Sequence, residues 1–302
     1  MIVSVCPTFR CNLNCPYCYL GDMVNSSDVL SLDRLTNQLN IISSHEPIHE
    51  ISLFGGEISL LDEEYLYKLK DICYNFTNTV GVTTNLANIN ITKIFDNITI
   101  SLNEERDDYV EKLNSLDSYE FNFVLSIVVL PSIVSLFKSG QYISWLDNMP
   151  IKCTAITMLK YLQSIAQIRS DEFNVSDDDY EFVIKKFIEY SIEHNPHFRN
   201  INLEELKDST YSPTMDTNIF IGCNGDFGVV AHDNNGYEYF KWLRNFDEYL
   251  DLCKEERKLY EQRCIACEYF GNCYTQHLDF TTNCCGHKKL KRWFNDILYK
   301  IN

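Results

Sequence analysis

The sequence predicts an α/β fold built on a parallel sheet that closes wholly or partly into a barrel. Three observations predict it. Six short β-branched runs alternate with stretches of helical periodicity. Most of those runs are almost continuously apolar, as strands buried on both faces are. The chain has 302 residues, 45% of them hydrophobic, enough for one large domain or for a large one and a small one.

The elements follow in order. "IVSV" (Ile2–Val5) is the first strand and leads into a cysteine-rich loop. A helix carries Leu32, Leu35, Leu39 and Ile42 at helical spacing, with Ser31 placed to cap it. "EISLF" (Glu50–Phe54) is the second strand and ends at Gly55–Gly56. The next helix runs through Leu61, Tyr65, Leu69 and Ile72. Four more strands are expected at "TVGVTTN" (Thr79–Asn85), "ITISLN" (Ile98–Asn103), "FVLSIVVL" (Phe123–Leu130) and "IKCTAIT" (Ile151–Thr157). In barrels of this kind the active site lies at the C-terminal ends of the strands. The cysteine loop and Gly55–Gly56–Glu57 both fall there, so one mouth collects both.

The pattern changes near residue 200. "FIGCNGDFGVVAH" reads as a hairpin turning at Asn224–Gly225. A helix follows over about Phe246 to Gln262, then a second cysteine group. This predicts a barrel over residues 1–200 and a small cysteine-rich α+β domain over 201–302.

Composition excludes several classes. A formal net charge of −17 argues against sequence-independent nucleic-acid binding. "HKKLKRW" (His287–Trp293) reads as the solvated face of a C-terminal helix. The longest apolar stretch, Phe123–Phe137, is too short and too broken by Pro131 and serines to span a bilayer. The start of the chain has neither the basic region nor the apolar core of a secretory signal. Thirteen cysteines, an odd number, therefore suggest a reducing, cytoplasmic setting in which clustered thiols bind metal or do redox chemistry.

Cys11, Cys15 and Cys18 form C-x3-C-x2-C in one loop, with no fourth ligand nearby. Structural zinc sites offer two separated ligand pairs. Three thiolates on a cubane iron–sulfur cluster leave one iron open to an outside ligand. Cys6 lies outside the spacing and reads as a core thiol.

C-x3-C-x2-C after a first strand, with Gly-Gly-Glu after a second, resembles the radical S-adenosylmethionine (SAM) enzymes over about residues 1–200. The resemblance implies a partial (β/α)6 TIM-type barrel. It implies a [4Fe–4S] cluster held by Cys11, Cys15 and Cys18, whose open iron takes the amino and carboxylate groups of SAM. Tyr17, the aromatic residue before the last cysteine, falls by the adenine. Gly55, Gly56 and Glu57 line the methionine amino group. This chain has Ile58 where the family usually has Pro. Ser101 and Asn103 match the strand that meets the ribose or carboxylate, and many relatives have Asp at the position of Asn103. Thr84 and Asn85 close a "TTN" similar to the family's frequent "TNG" and are expected to line the cavity.

Cys264, Cys267 and Cys273 read C-x2-C-x5-C, and Cys284 and Cys285 follow. A zinc ribbon is one reading of this spacing. Beside a radical SAM barrel it resembles the C-terminal SPASM (twitch-like) domain of peptide- and protein-modifying members, which normally carries two auxiliary clusters. His277 stands where the family's fourth cysteine is expected, and Val230 stands at another ligand position. The resemblance thus implies one auxiliary [4Fe–4S] cluster, held by Cys264, Cys267, Cys273 and either Cys284 or Cys285. Cys223 reads as a buried thiol, and Cys73, Cys153 and Cys253 as core. Asp177–Asp179 read as a helix start favoured by the dipole.

The activity implied is cleavage of SAM to a 5′-deoxyadenosyl radical that abstracts hydrogen from a ribosomally made peptide. The product would be a thioether or carbon–carbon crosslink, or an epimerised residue. The alternative is a maturase that oxidises an active-site Ser or Cys of a partner enzyme to a formylglycine. Expected partners are a peptide with a leader segment and an electron donor such as flavodoxin or ferredoxin. Because Cys11 lies so near the start, the leader is expected to dock on another surface or on a separate protein. No residue stands out in sequence as the catalytic acid or base.

Overall fold

The computed structural model describes residues 1–18, 20–161, 171–207, 218–232, 238–264, 266–268 and 288–301. β1 (Ile2–Val5), β2 (Glu50–Leu53), β3 (Val80–Thr84), β4 (Asn97–Ser101), β5 (Phe123–Val129), β6 (Cys153–Lys160) and β7 (Arg199–Asn200) lie side by side in chain order, each parallel to the next. Consecutive order without reversal is the winding of a barrel, not of a doubly wound sheet. Among the described residues the sheet does not close on itself, so the barrel is partial. All six strands expected from the sequence are present. β7, two residues long, has too little pattern to be read in advance.

The helices close the outside of this sheet. α1 (Leu32–His45) buries Leu35, Leu39 and Ile42, and α2 (Glu63–Tyr74) buries Leu66, Leu69 and Cys73. Asp62 caps α2 by accepting from the backbone N–H groups of Glu64 and Tyr65. Ser31 occupies the cap position of α1 but its side chain makes no capping bond. α3 (Ile91–Ile94), α4 (Tyr109–Ser115), α5 (Pro131–Lys138) and α6 (Tyr142–Asp147) are short. Pro131 opens α5 at its first turn, where its missing N–H costs nothing, and so divides the long apolar stretch into a strand and a helix. α7 (Asp177–His194) is capped by Ser176 and closed by Asn195 in the left-handed region. Asp177, Asp178 and Asp179 sit in its first turn and pair with Lys160, Lys289 and Lys138 at 2.5, 2.9 and 2.6 Å. α8 is Ile201–Lys207.

The expected hairpin forms, but not apart from the barrel. β8 (Asn218–Ile221) runs parallel to the free side of β1, pairing Ile2 with Asn218 and Val5 with Ile221. β9 (Phe227–His232) and β10 (Glu238–Leu243) add antiparallel strands beyond it. Among the described residues the sheet therefore has ten strands, ordered β10-β9-β8-β1-β2-β3-β4-β5-β6-β7. Segment 201–302, expected to open a second domain, supplies three of them. The physical reason is the edge of β1, an apolar strand whose N–H and C=O groups need a partner on both sides. The turn at Asn224–Gly225 has Gly225 at φ +81°, and Gln38 of α1 donates to the Gly225 carbonyl at 2.6 Å.

α9 (Phe246–Cys264) packs Phe246, Tyr249 and Cys253 inward. α10 (Lys288–Ile301) buries Leu290 and Phe294. Its basic run is not all solvated: Lys291 is buried and its Nζ donates to the Leu206 carbonyl at 2.8 Å. Lys289 and Arg292 do lie outside, paired with Asp178 and Glu268. One apolar core runs through the sheet and its helices and includes Cys73, Cys153 and Cys253, as expected. Among the described residues no helix is long and apolar enough to cross a membrane.

Candidate functional site

The loop after β1 is strapped at several points. The Thr8 hydroxyl donates to the Asp28 carbonyl at 2.8 Å and accepts from the Arg10 N–H at 3.1 Å. The Leu30 N–H donates to the Pro7 carbonyl at 2.8 Å, and the Cys11 N–H to the Val24 carbonyl at 3.0 Å. The Gly pair after β2 forms the seat. The Gly56 N–H donates to Thr8 O at 2.9 Å, and the Glu57 N–H to Arg10 O at 2.7 Å. A Cβ on Gly56 would stand 2.2 Å from Arg10 O; one on Gly55, at φ +132°, would stand 2.2 Å from Cys6 Sγ. Only glycines let the second strand's end come this close to the thiol loop.

Cys11, Cys15 and Cys18 are half-buried free thiols on that loop. Burial, the largest influence, pushes all three up, Cys15 to about 11. Several groups pull the other way. The Leu13 N–H points at Cys11 Sγ at 3.4 Å, the Tyr17 hydroxyl bonds Cys15, and the Leu20 and Gly21 backbones donate to Cys18. Among the described residues no three His, Cys, Asp or Glu side chains converge on one metal ion.

Glu57 is 1% exposed and both of its carboxylate oxygens are hydrogen-bonded. Its Oε1 accepts from the Ser59 N–H at 2.8 Å and the Thr84 hydroxyl at 2.5 Å; its Oε2 accepts from the Asn85 N–H at 2.5 Å. It thereby ties the end of β2 to the end of β3. Asn103, also 1% exposed, spends both ends of its amide on Val128 of β5, at 2.7 and 3.1 Å. The Ser101 carbonyl takes a hydrogen bond from Arg106.

Tyr17 lies against Phe173, with ring centroids 6.3 Å apart. Both join Val128, Leu130 and Tyr161 in a small apolar cluster at the ends of β5 and β6, separate from the main core. Three residues at this mouth carry no motif that marks them in the sequence as site groups. Arg106 is a buried guanidinium held bidentately by Asp108 at 2.8 and 2.9 Å. Against the larger upward push of burial, its charge draws down the pKa of Cys11, Cys15 and Tyr17. Glu105 receives the Ser132 hydroxyl at 2.5 Å on one oxygen, while the other is buried without a partner among the described residues. The Tyr161 hydroxyl and Asn85 Oδ1 are likewise buried and unpartnered. Their position at the ends of β4, β6 and β3 was the available signal. Unsatisfied buried acceptors and donors at one mouth are what a polar ligand would complete, so the residues present fit the cluster and SAM.

Cys6 and Cys223 are buried, and burial pushes both thiols up. Cys267 is half-buried in the turn after α9, of which Cys264 is the last residue. Cys273, His277, Cys284 and Cys285 lie outside the described residues.

Residues 5–127 match the radical SAM superfamily model. Over 162 residues, 51% of this chain, the sequence is 27% identical to the uncharacterized protein MJ0907 of Methanocaldococcus jannaschii. The chain spans about half of that relative's length, 52%. The fold is similar to hexahistidine-tagged anSMEcpe with bound AdoMet, at a TM-score of 0.65 and 14% identity, over 99% of this chain and 96% of that one. Native anSMEcpe with bound AdoMet and Cp18Cys peptide aligns at 0.63 and 14%, again over 99% and 96%. Streptococcus suis SuiB bound to precursor peptide SuiA aligns at 0.53 and 14%, over 75% and 58%. At these identities the likeness is one of fold, the partial barrel. The segment matched by the family model contains the thiol loop, the Gly-Gly-Glu turn, β2 to β4 and most of β5. That match covers less than half of the chain.

Proposed function

We propose that the chain is a radical SAM enzyme that modifies a ribosomally made peptide. The observation that carries the reading is the strapped loop with three half-buried thiols, seated on Gly55–Gly56 at a mouth where three buried polar atoms have no partner among the described residues. Cys11, Cys15 and Cys18 would hold the [4Fe–4S] cluster. Tyr17 and its apolar neighbours would receive the adenine. Gly55, Gly56, Ser101 and the buried acceptors of Asn85 and Glu105 would meet the polar parts of SAM. When bound, the two groups supply reductive cleavage of SAM and a radical able to take hydrogen from a C–H bond.

The chain's own residues bind, orient and keep water out. Glu57 fixes the Thr84–Asn85 turn, and Asn103 fixes β4 to β5; both act by holding the mouth in shape. Leu130, Tyr161 and Phe173 give the mouth an apolar wall. A peptide substrate is supported by the SuiB and anSMEcpe structures, which hold the SuiA precursor peptide and the Cp18Cys peptide. The tail would add one auxiliary cluster on Cys264, Cys267, Cys273 and Cys284 or Cys285, as a domain appended to the barrel, and a flavodoxin or ferredoxin would supply electrons.

The test is iron and acid-labile sulfide per chain after anaerobic reconstitution, beside a triple Cys11/Cys15/Cys18→Ala variant. About eight irons falling to about four supports both clusters. About four falling to none, with zinc retained, removes the auxiliary cluster. The reduced protein should then form 5′-deoxyadenosine with SAM. Absence of that product with every peptide encoded beside the gene defeats the peptide reading.

A further inference from the structure

We propose that Asn85 is a positioning residue that raises the reduction potential of the cluster by donating its side-chain N–H to the Cys11 sulfur. The proposal rests on the reading above, that Cys11, Cys15 and Cys18 hold a [4Fe–4S] cluster. Asn85 is 7% exposed and stands directly after β3. Its Nδ2 lies 3.0 Å from Asn12 Oδ1 and 3.7 Å from Cys11 Sγ. A thiolate sulfur bound to iron only accepts, so the end of the Asn85 amide that faces Cys11 is its nitrogen. The other end, Oδ1, has no partner among the described residues and is left for a ligand donor.

The amide has little freedom to turn elsewhere. The Asn85 N–H is fixed by Glu57 at 2.5 Å. Thr84 accepts from the Leu86 N–H at 2.9 Å, and Leu86 is held at φ +58° with its carbonyl bonded by Lys112 Nζ at 2.7 Å. A leucine in the left-handed region is strained by about 1–3 kcal/mol, and such strain persists where surrounding contacts impose it. Here they impose the direction of the next side chain back. Cys11 thus has two N–H donors, Leu13 from its own loop and Asn85 from the barrel.

A sulfur that binds iron carries negative charge, and that charge grows when the cluster takes an electron. A donor to that sulfur strengthens with the charge. It therefore stabilises the reduced state more than the oxidised one and raises the potential. The Glu57 carboxylate acts on Cys11 in the opposite sense.

The test is an EPR-monitored redox titration of the reconstituted full chain and of Asn85→Leu and Asn85→Asp. Both variants lose the donor, and Asp adds a negative charge. The expected result is a potential lower than wild type in both and lowest in Asn85→Asp, by at least a tenfold change in the oxidised-to-reduced ratio, about 59 mV for one electron. Equal potentials in fully loaded proteins overturn the proposal. Should the variants fail to fold, the wild type with side-chain-amide 15N-asparagine decides alone. A nitrogen coupling to the reduced cluster in pulsed EPR supports it, and its absence overturns it. A wild type that builds no cluster dependent on the three cysteines is a different failure, that of the function itself.

Discussion

The Gly55–Gly56 pair does more than the sequence pattern promises. The motif predicts a close approach to a cofactor, and the pair's first service is to the protein: the backbone of residues 8–10 lies where any Cβ would be. Gly56→Ala should therefore cut iron uptake to a small fraction of wild type and lower the melting temperature, both measured on the reconstituted protein. Gly81→Ala is the matched control, since nothing lies within 4 Å of its Cβ position; it should leave loading unchanged and shift stability by less than about 1 kcal/mol. A second expectation concerns the core thiols. Burial pushes Cys73 up to about 12. In the unfolded chain it ionises near its ordinary value of about 8.5. The native state keeps it neutral, so stability is complete below that pH and is lost as pH rises toward 12. Each pH unit in that window should cost about 1.4 kcal/mol per such thiol. Urea titrations under reductant at pH 9 and 11 should show a shallower loss for Cys73→Val by about that amount per unit. The thiols of the loop, the glycines and Glu57 were legible as motif residues. Asn85, Glu105, Arg106 and Tyr161 were not, or only as lining, because their roles depend on where strand ends converge and which atoms stay unpaired.

At the scale of elements, strands and long helices were legible because apolar runs and helical spacing are local. Caps were less so, since a serine before a helix gives no sign of whether its hydroxyl turns inward. Ser31 and Ser176 show the difference: the second accepts from the Asp179 N–H at 3.1 Å, and the first makes no such bond. Ser176→Ala should cost about 1 kcal/mol and Ser31→Ala only a few tenths, by denaturant unfolding. β10 was hidden for another reason. Its Trp242 lies across Gly222 and Gly228, whose missing side chains make room for the indole, and that complementarity joins three separate stretches of chain.

At the scale of the molecule, the alternation of strands and helices predicts the barrel, and the change of pattern near residue 200 suggests a division there. What the pattern could not carry is that β8 pairs with β1, because pairing between distant strands leaves no local trace. A chain cut after Lys207 would expose the edge of β1 and the apolar side chains that β8 covers. It should aggregate, while the full chain stays monodisperse in light scattering. The same pairing sets a schedule. During translation the thiol loop leaves the ribosome first, yet the strand that completes the sheet beneath it arrives about 200 residues later. At ordinary synthesis speeds that interval is roughly 10–40 s. For that time the cysteines are displayed on a half-built floor, open to oxidants and stray metal, and a chaperone that covers the nascent thiol loop would raise the yield of intact protein more than one that acts after release.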